Sequence, residues 1–227
     1  MSLYLWINIL SISVPLAVSF HPRIKLYKSW PSLFAAIFLV LIPYIIWDIY
    51  FTQQGFWGFN ETYLLGVFIL DLPIEEWLFF ICIPYACIFT HKSVLTINPK
   101  LSVSPKSTKV LSVLIATVLI STVALNTGKA YTAISGLFAL VALALAFKTD
   151  KKLLGQYYCT FLFMLIPFFI VNGILTGSFI ADEVVWYNDA ENLGIRLFTI
   201  PIEDVSYAFS LLLFNLLIYT KLTRSRT

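Results

Sequence analysis

The chain has 227 residues, of which 59% are hydrophobic and only 12% charged, with a formal net charge of +3. A soluble domain of this size carries about 25% charged residues, so the composition excludes an ordinary water-soluble globule and points to an integral membrane protein. The small positive excess is spread over loops, which excludes a concentrated nucleic-acid-binding face.

Apolar segments near 3–20, 31–51, 74–91, 109–126, 130–147, 157–178 and 201–221 each approach the length that crosses a bilayer. Their unbroken apolarity favours helices over the alternating strands of a barrel. The first segment has no basic start and no small-residue cleavage site, so it reads as a retained helix.

With seven crossings, the loops after segments 1, 3 and 5 share a side with the C-terminus. That side carries thirteen Lys and Arg residues, from Arg23 to Arg226; the opposite side carries Lys129 and Arg196. The positive-inside rule then predicts an outside N-terminus and a cytoplasmic C-terminus. The predicted fold is all-α, with seven transmembrane helices in a 3+1+3 parallel repeat. Residues 1–92 form the first three-helix unit, 93–129 a cytoplasmic loop and linker helix, and 130–227 the second unit. The bacterial cytoplasmic membrane is the expected location.

Residues 59–76 and 187–204 align without a gap and share six identities: Asn60/Asn188, Leu65/Leu193, Gly66/Gly194, Pro73/Pro201, Ile74/Ile202 and Glu75/Glu203. In each copy a proline precedes adjacent carboxylates, Glu75-Glu76 and Glu203-Asp204, at the mouth of an apolar segment. One such pair is accounted for by the positive end of a helix dipole. Two pairs at one offset suggest a site built from two related halves, because carboxylates beside lipid are costly. Asp71 and Thr199 are the expected N-caps. Asp48 and Asn172 each follow a helix proline by five residues and fall at the same level. Trp57, Phe59, Trp186 and Tyr187 lie in the matched outer loops, where aromatic faces can stabilise a cation.

Other chemistries lack their residues. There is no dinucleotide or Walker motif. His21 and His91 are single, and Cys82, Cys87 and Cys159 have no metal-ligand spacing, so no metal site is expected. The last segment has no lysine at mid-membrane depth to carry a retinal Schiff base.

The doubled P-x-E-[ED] motif, at Pro73–Glu76 and Pro201–Asp204, resembles the signature of the small integral-membrane lycopene cyclases of bacteria, archaea and fungi. The aromatic-Asn pairs Phe59-Asn60 and Tyr187-Asn188, and the stretch 172–176 after Pro167, carry the same resemblance. In the heterodimer-type members the halves are separate chains; this chain resembles the version with both halves fused. The resemblance implies conversion of lycopene through γ-carotene to β-carotene without net redox change and without a cofactor. It implies catalytic roles for Glu75 and Glu203 as acid and base, with Glu76 and Asp204 as partners. Asp48, Asn172, Asn60, Asn188, Trp57, Phe59, Trp186, Tyr187, Pro73 and Pro201 are the expected substrate-binding or supporting residues. The expected partners are a membrane-dissolved carotenoid and lipid, with other carotenoid-pathway enzymes or a second copy as protein candidates. Cyclisation of a longer prenylated carotenoid, and solute transport by a 3+1+3 bundle, are the alternatives.

Overall fold

The computed structural model describes residues 2–225, so Arg226, counted among the basic residues, lies outside the described residues. Among the described residues the architecture is all-α, with seven α-helices, the connections before the third and the seventh being long and the others short. They are α1 (Leu3–Val18), α2 (Trp30–Gln53), α3 (Ile74–Ile97), α4 (Pro105–Leu125), α5 (Ala130–Thr149), α6 (Lys151–Leu175) and α7 (Glu203–Arg224). Six of them are long and apolar enough to cross a membrane. The exception is α1, whose 16 residues span about 24 Å against a hydrocarbon core of about 30 Å. Several long apolar helices support an integral-membrane location.

The boundaries differ from the predicted ones where polar residues start helices. Lys151 opens α6 directly after Asp150, whose side chain accepts from Leu153 N–H at 2.9 Å and so caps the helix. The run of charged residues at 148–152 reads as a loop, but one capping carboxylate is enough to turn the chain. Asp150 also receives Arg224 at 2.6 Å, tying this turn to the end of α7.

The core lies along α3, α5, α6 and α7, with α2 packed across α7. Hydroxyl pairs supplement its apolar contacts: Ser19 with Tyr85 at 2.7 Å, Tyr44 with Ser210 at 2.7 Å, and Ser112 with Tyr158 at 2.7 Å. Such bonds matter between apolar helices, where water is not available to satisfy the same groups.

The connections before α3 and α7 are not plain loops. Each ends in a two-residue hairpin, β2 (Phe68–Ile69) with β3 (Leu72–Pro73), and β5 (Arg196–Leu197) with β6 (Ile200–Pro201). Phe68 pairs with Pro73 and Arg196 with Pro201, the same register at aligned positions. The first turn sets Leu70 and Asp71 at φ of 52° and 66°, the geometry of a tight hairpin turn. The two connections also bond to one another. β1 (Trp57–Phe59) runs antiparallel to β4 (Val185–Tyr187), pairing Trp57 with Tyr187, Gly58 with Trp186 and Phe59 with Val185. The indole of Trp186 lies directly over Gly58, where a Cβ would meet it at 2.4 Å. Asn60 N–H and Asn188 N–H extend the pairing to Val184 O and Phe56 O, both at 2.9 Å.

The expected N-caps do not form. Asp71 is exposed and accepts from Gln53 Nε2 at 2.8 Å, while the Thr199 hydroxyl bonds Thr176 and Ser178. The hairpin turns carry both residues away from the helix starts, so Pro73 and Ile202 occupy the cap positions without side-chain bonds.

Candidate active site

A cavity of about 450 Å³ lies between α1, α3, α6 and α7. Its lining on α3 runs from Glu76 to Thr90, about 21 Å along the helix axis. Most of the lining is apolar: Leu10 and Val14 from α1, Ile83 and Ala86 from α3, Phe168 and Val171 from α6, Leu211 and Leu212 from α7. The carboxyl groups gather at one end, under the paired strands β1 and β4.

Three carboxyl side chains line that end: Asp48 from α2, Glu76 from α3 and Asp204 from α7. All are buried, with 2%, 8% and 3% of their surface exposed. Each is held by an aromatic donor. Trp57 Nε1 donates to Asp48 Oδ1 at 2.6 Å. The Tyr4 hydroxyl donates to Glu76 Oε2. Asp204 accepts from the Tyr131 hydroxyl on Oδ1, and on Oδ2 from Tyr187 and Asn172 Nδ2, each at 3.3 Å. Asp48 Oδ2 is buried without a hydrogen-bond partner among the described residues and shares the cavity lining with Glu76.

Glu75 and Glu203 stand one residue earlier, turned about 100° around their helices and away from the cavity lining. Their partners match. Glu75 Oε1 accepts from Leu65 N–H at 2.7 Å and Ser2 Oγ at 2.6 Å. Glu203 Oε1 accepts from Leu193 N–H at 2.8 Å and Thr132 Oγ1 at 2.6 Å. Each carboxyl therefore ties the preceding loop and a neighbouring helix to its own helix start. Within each adjacent pair, one carboxyl braces the scaffold and the other faces the cavity.

The other expected residues divide in the same way. Trp57, Phe59, Tyr187 and Asn172 line the cavity. Asn60 and Asn188 do not; their Oδ1 atoms accept from Thr62 N–H and Ala190 N–H, both at 3.0 Å, and shape the loops. Trp186 is 38% exposed and covers Gly58 from outside. Pro73 and Pro201 are buried at the hairpin ends, where each fixes the entry to its helix.

Sequence reasoning missed Tyr4, Tyr131 and Tyr207, which line the cavity, and Ser2 and Thr132, which hold the bracing glutamates. A signal was present: hydroxyl residues cluster at the starts of the first and fifth segments, opposite the paired acids. Burial, then the charges of Asp204 and Glu76, raise the Tyr187 phenol well above its ordinary value of 10.0. It therefore stays a neutral donor. At the rim, Arg196 binds Asp189 at 2.7 Å. Burial raises Asp189, but the Asn192 amide and that guanidinium together outweigh it and hold the carboxyl below the usual range. Among the described residues no group of three or more His, Cys, Asp or Glu side chains has the spacing of a metal site.

The lycopene cyclase family model matches residues 1–94 and 128–222, most of the chain. No curated protein and no solved structure matches it.

Proposed function

Because this chain belongs to the lycopene cyclase family, we propose that it converts lycopene to γ-carotene and then β-carotene, by protonating a ψ-end and closing a β-ring without net redox change. One observation carries this reading. Asp48, Glu76 and Asp204, from three helices, converge at one end of an otherwise apolar cavity, each oriented by an aromatic N–H or O–H. A polyene fits an apolar slot, and its terminal double bond needs a proton delivered where water is scarce.

The chemistry balances within the substrate. A carboxylic acid adds a proton to the terminal double bond and leaves a tertiary cation. The ring-forming double bond attacks that cation, closes the ring and moves the positive charge onto a ring carbon. A carboxylate then removes the adjacent proton, forming the ring double bond. One proton enters and one leaves, so no oxidant or reductant is consumed. Glu76 and Asp204 are the acid–base pair in this reading, with Asp48 beside them in the same lining. Placing Glu76 and Asp204 at the chemistry, with Glu75 and Glu203 as braces, inverts the roles the resemblance implied. The faces of Trp57, Phe59 and Tyr187 line the same end and are suited to shield the cation.

The same reading includes a 3+1+3 parallel repeat with seven crossings, N-terminus outside, in the bacterial cytoplasmic membrane. The identical hairpin registers support it. So does the pairing of β1 with β4 about Gly58 and Trp186, since a two-fold axis pairs equivalent strands antiparallel. The basic residues at the opposite end of the bundle support the orientation.

The test is pigment analysis by liquid chromatography of a lycopene-accumulating bacterial host expressing the chain alone. Monocyclic and then bicyclic β-ring carotenes are expected. Unchanged lycopene, with the protein verified in the membrane, refutes the assignment; conversion of a prenylated carotenoid instead redirects it to a longer substrate.

A further inference from the structure

The place equivalent to this cavity in the other half is filled. If α1, α2 and α3 correspond to α5, α6 and α7, a second pocket belongs between α5, α7 and α2, related to the first by the pseudo-two-fold axis. That place is filled with rings. Trp47 stands 4.8 Å from Phe138 and 4.9 Å from Tyr207, centroid to centroid. Tyr44 packs edge-on against Phe138 at 5.3 Å, and Phe214 reaches Phe138 at 6.5 Å.

The equivalent positions on the open side are small. Three pairs of landmarks set the correspondence: Tyr4 with Tyr131, which bond the two cavity-facing acids; Pro43 with Pro167; and the two P-x-E-[ED] motifs. They place Ser11 opposite Phe138, Val171 opposite Trp47 and Ala86 opposite Phe214. Ser11, Val171 and Ala86 all line the cavity; their three aromatic counterparts do not. Interiors pack nearly as densely as organic crystals, so three added rings leave no slot. The acidic groups of both halves nevertheless meet on the open side, where Asp48, Glu76 and Asp204 share one lining with the Asn172 amide.

We propose that the chain carries a single working site for both ring closures, its twin being stopped by Trp47, Phe138 and Phe214. This rests on the cyclase reading above. A two-ended polyene is then closed one end at a time. Between closures the monocyclic carotene leaves into the bilayer and returns with its other end leading. Each closure takes one proton from one carboxyl group at the terminal double bond and returns one to the other carboxyl group from beside the ring cation; a proton passing back between the two carboxyl groups restores the site before the second.

The full chain in liposomes, given isotopically labelled lycopene and excess unlabelled monocyclic carotene, tests this without any substitution. The bicyclic product is expected to carry label diluted to the level of the monocyclic pool. Bicyclic product with undiluted label overturns the proposal. Glu76→Gln and Asp204→Asn supply a second arm, each measured on lycopene and on monocyclic carotene. One shared site predicts that each variant loses both conversions by the same factor, about 100-fold or more. A variant that closes the first ring at the wild-type rate and stops there overturns the single site. Unchanged melting temperatures show that the variants are folded. Wild-type protein that leaves both substrates untouched refutes the cyclase reading itself, and the single-site proposal falls with it.

Discussion

Glu75 and Glu76 are neighbours in sequence and opposites in role, and substituting each in turn separates bracing from chemistry. Glu75 Oε1 accepts two hydrogen bonds, a part-buried one from Leu65 N–H at 2.7 Å and a buried one from Ser2 Oγ at 2.6 Å. Glu75→Ala removes both in a site where Glu75 is 0% exposed, stranding the Leu65 N–H while the Ser2 hydroxyl keeps Tyr63 O at 2.8 Å. At about 1.5 kcal/mol for each such bond, the loss is roughly 3 kcal/mol. For a chain of this size that lowers the melting temperature by about 6–12 °C. Glu75→Gln keeps an acceptor at the same place, so its activity stays within about tenfold of wild type. Glu76→Gln retains an acceptor for Tyr4 but has no acidic proton to give. Its melting temperature stays near wild type while turnover falls by about 100-fold or more. The assay is thermal unfolding in detergent followed by carotene formation in liposomes, on the same preparations. Equal loss of activity in folded Glu75→Gln and Glu76→Gln proteins would refute the division of labour.

Trp57→Phe removes the indole N–H that holds Asp48 at 2.6 Å while keeping an aromatic face; turnover in liposomes is expected to fall roughly tenfold or more as the carboxyl loses its orientation. Asn172→Leu deletes one of three donors to Asp204; turnover falls by a similar order while the melting temperature stays near wild type. Gly58→Ala forces the Trp186 ring off the β1–β4 pair; it lowers stability by about 1 kcal/mol, and adding Trp186→Ala recovers it, as a double-mutant cycle on melting would show. The Tyr187 phenol is raised above 10.0 by burial first and Asp204 second. A group with a raised folded value stabilises fully below its unfolded value, so this contribution is intact below about pH 10 and lost as pH climbs through the folded value. Unfolding midpoints against pH for wild type and Tyr187→Phe should therefore converge above that range.

Much of the architecture was already legible in the amino-acid order, for a simple reason. Apolar runs near bilayer length have few ways to satisfy their backbone, so helices at 30–53, 74–97, 105–125 and 130–149 follow from composition alone. The short 126–129 turn and the carboxylates in the first turns of α3 and α7 were readable for the same reason: both are local. The doubled motif identified the acids because repetition at one offset is itself a sequence property.

Tertiary structure decided which acid of each pair faces the cavity. Adjacent residues on a helix differ by about 100°, and only the placement of α1, α5 and the paired strands determines which direction is inward. That placement turned Glu76 and Asp204 toward the cavity and Glu75 and Glu203 toward loop N–H groups. Pairing between Trp57 and Tyr187, far apart in the chain, likewise has no local signature; it arises because the two connections cross at the same end of the bundle. The sequence determined that two similar halves each carry a carboxyl pair. Packing decided that one side stays open around Ser11, Ala86 and Val171 while the other is filled by Phe138, Phe214 and Trp47, because volume is summed over helices that only the fold brings together.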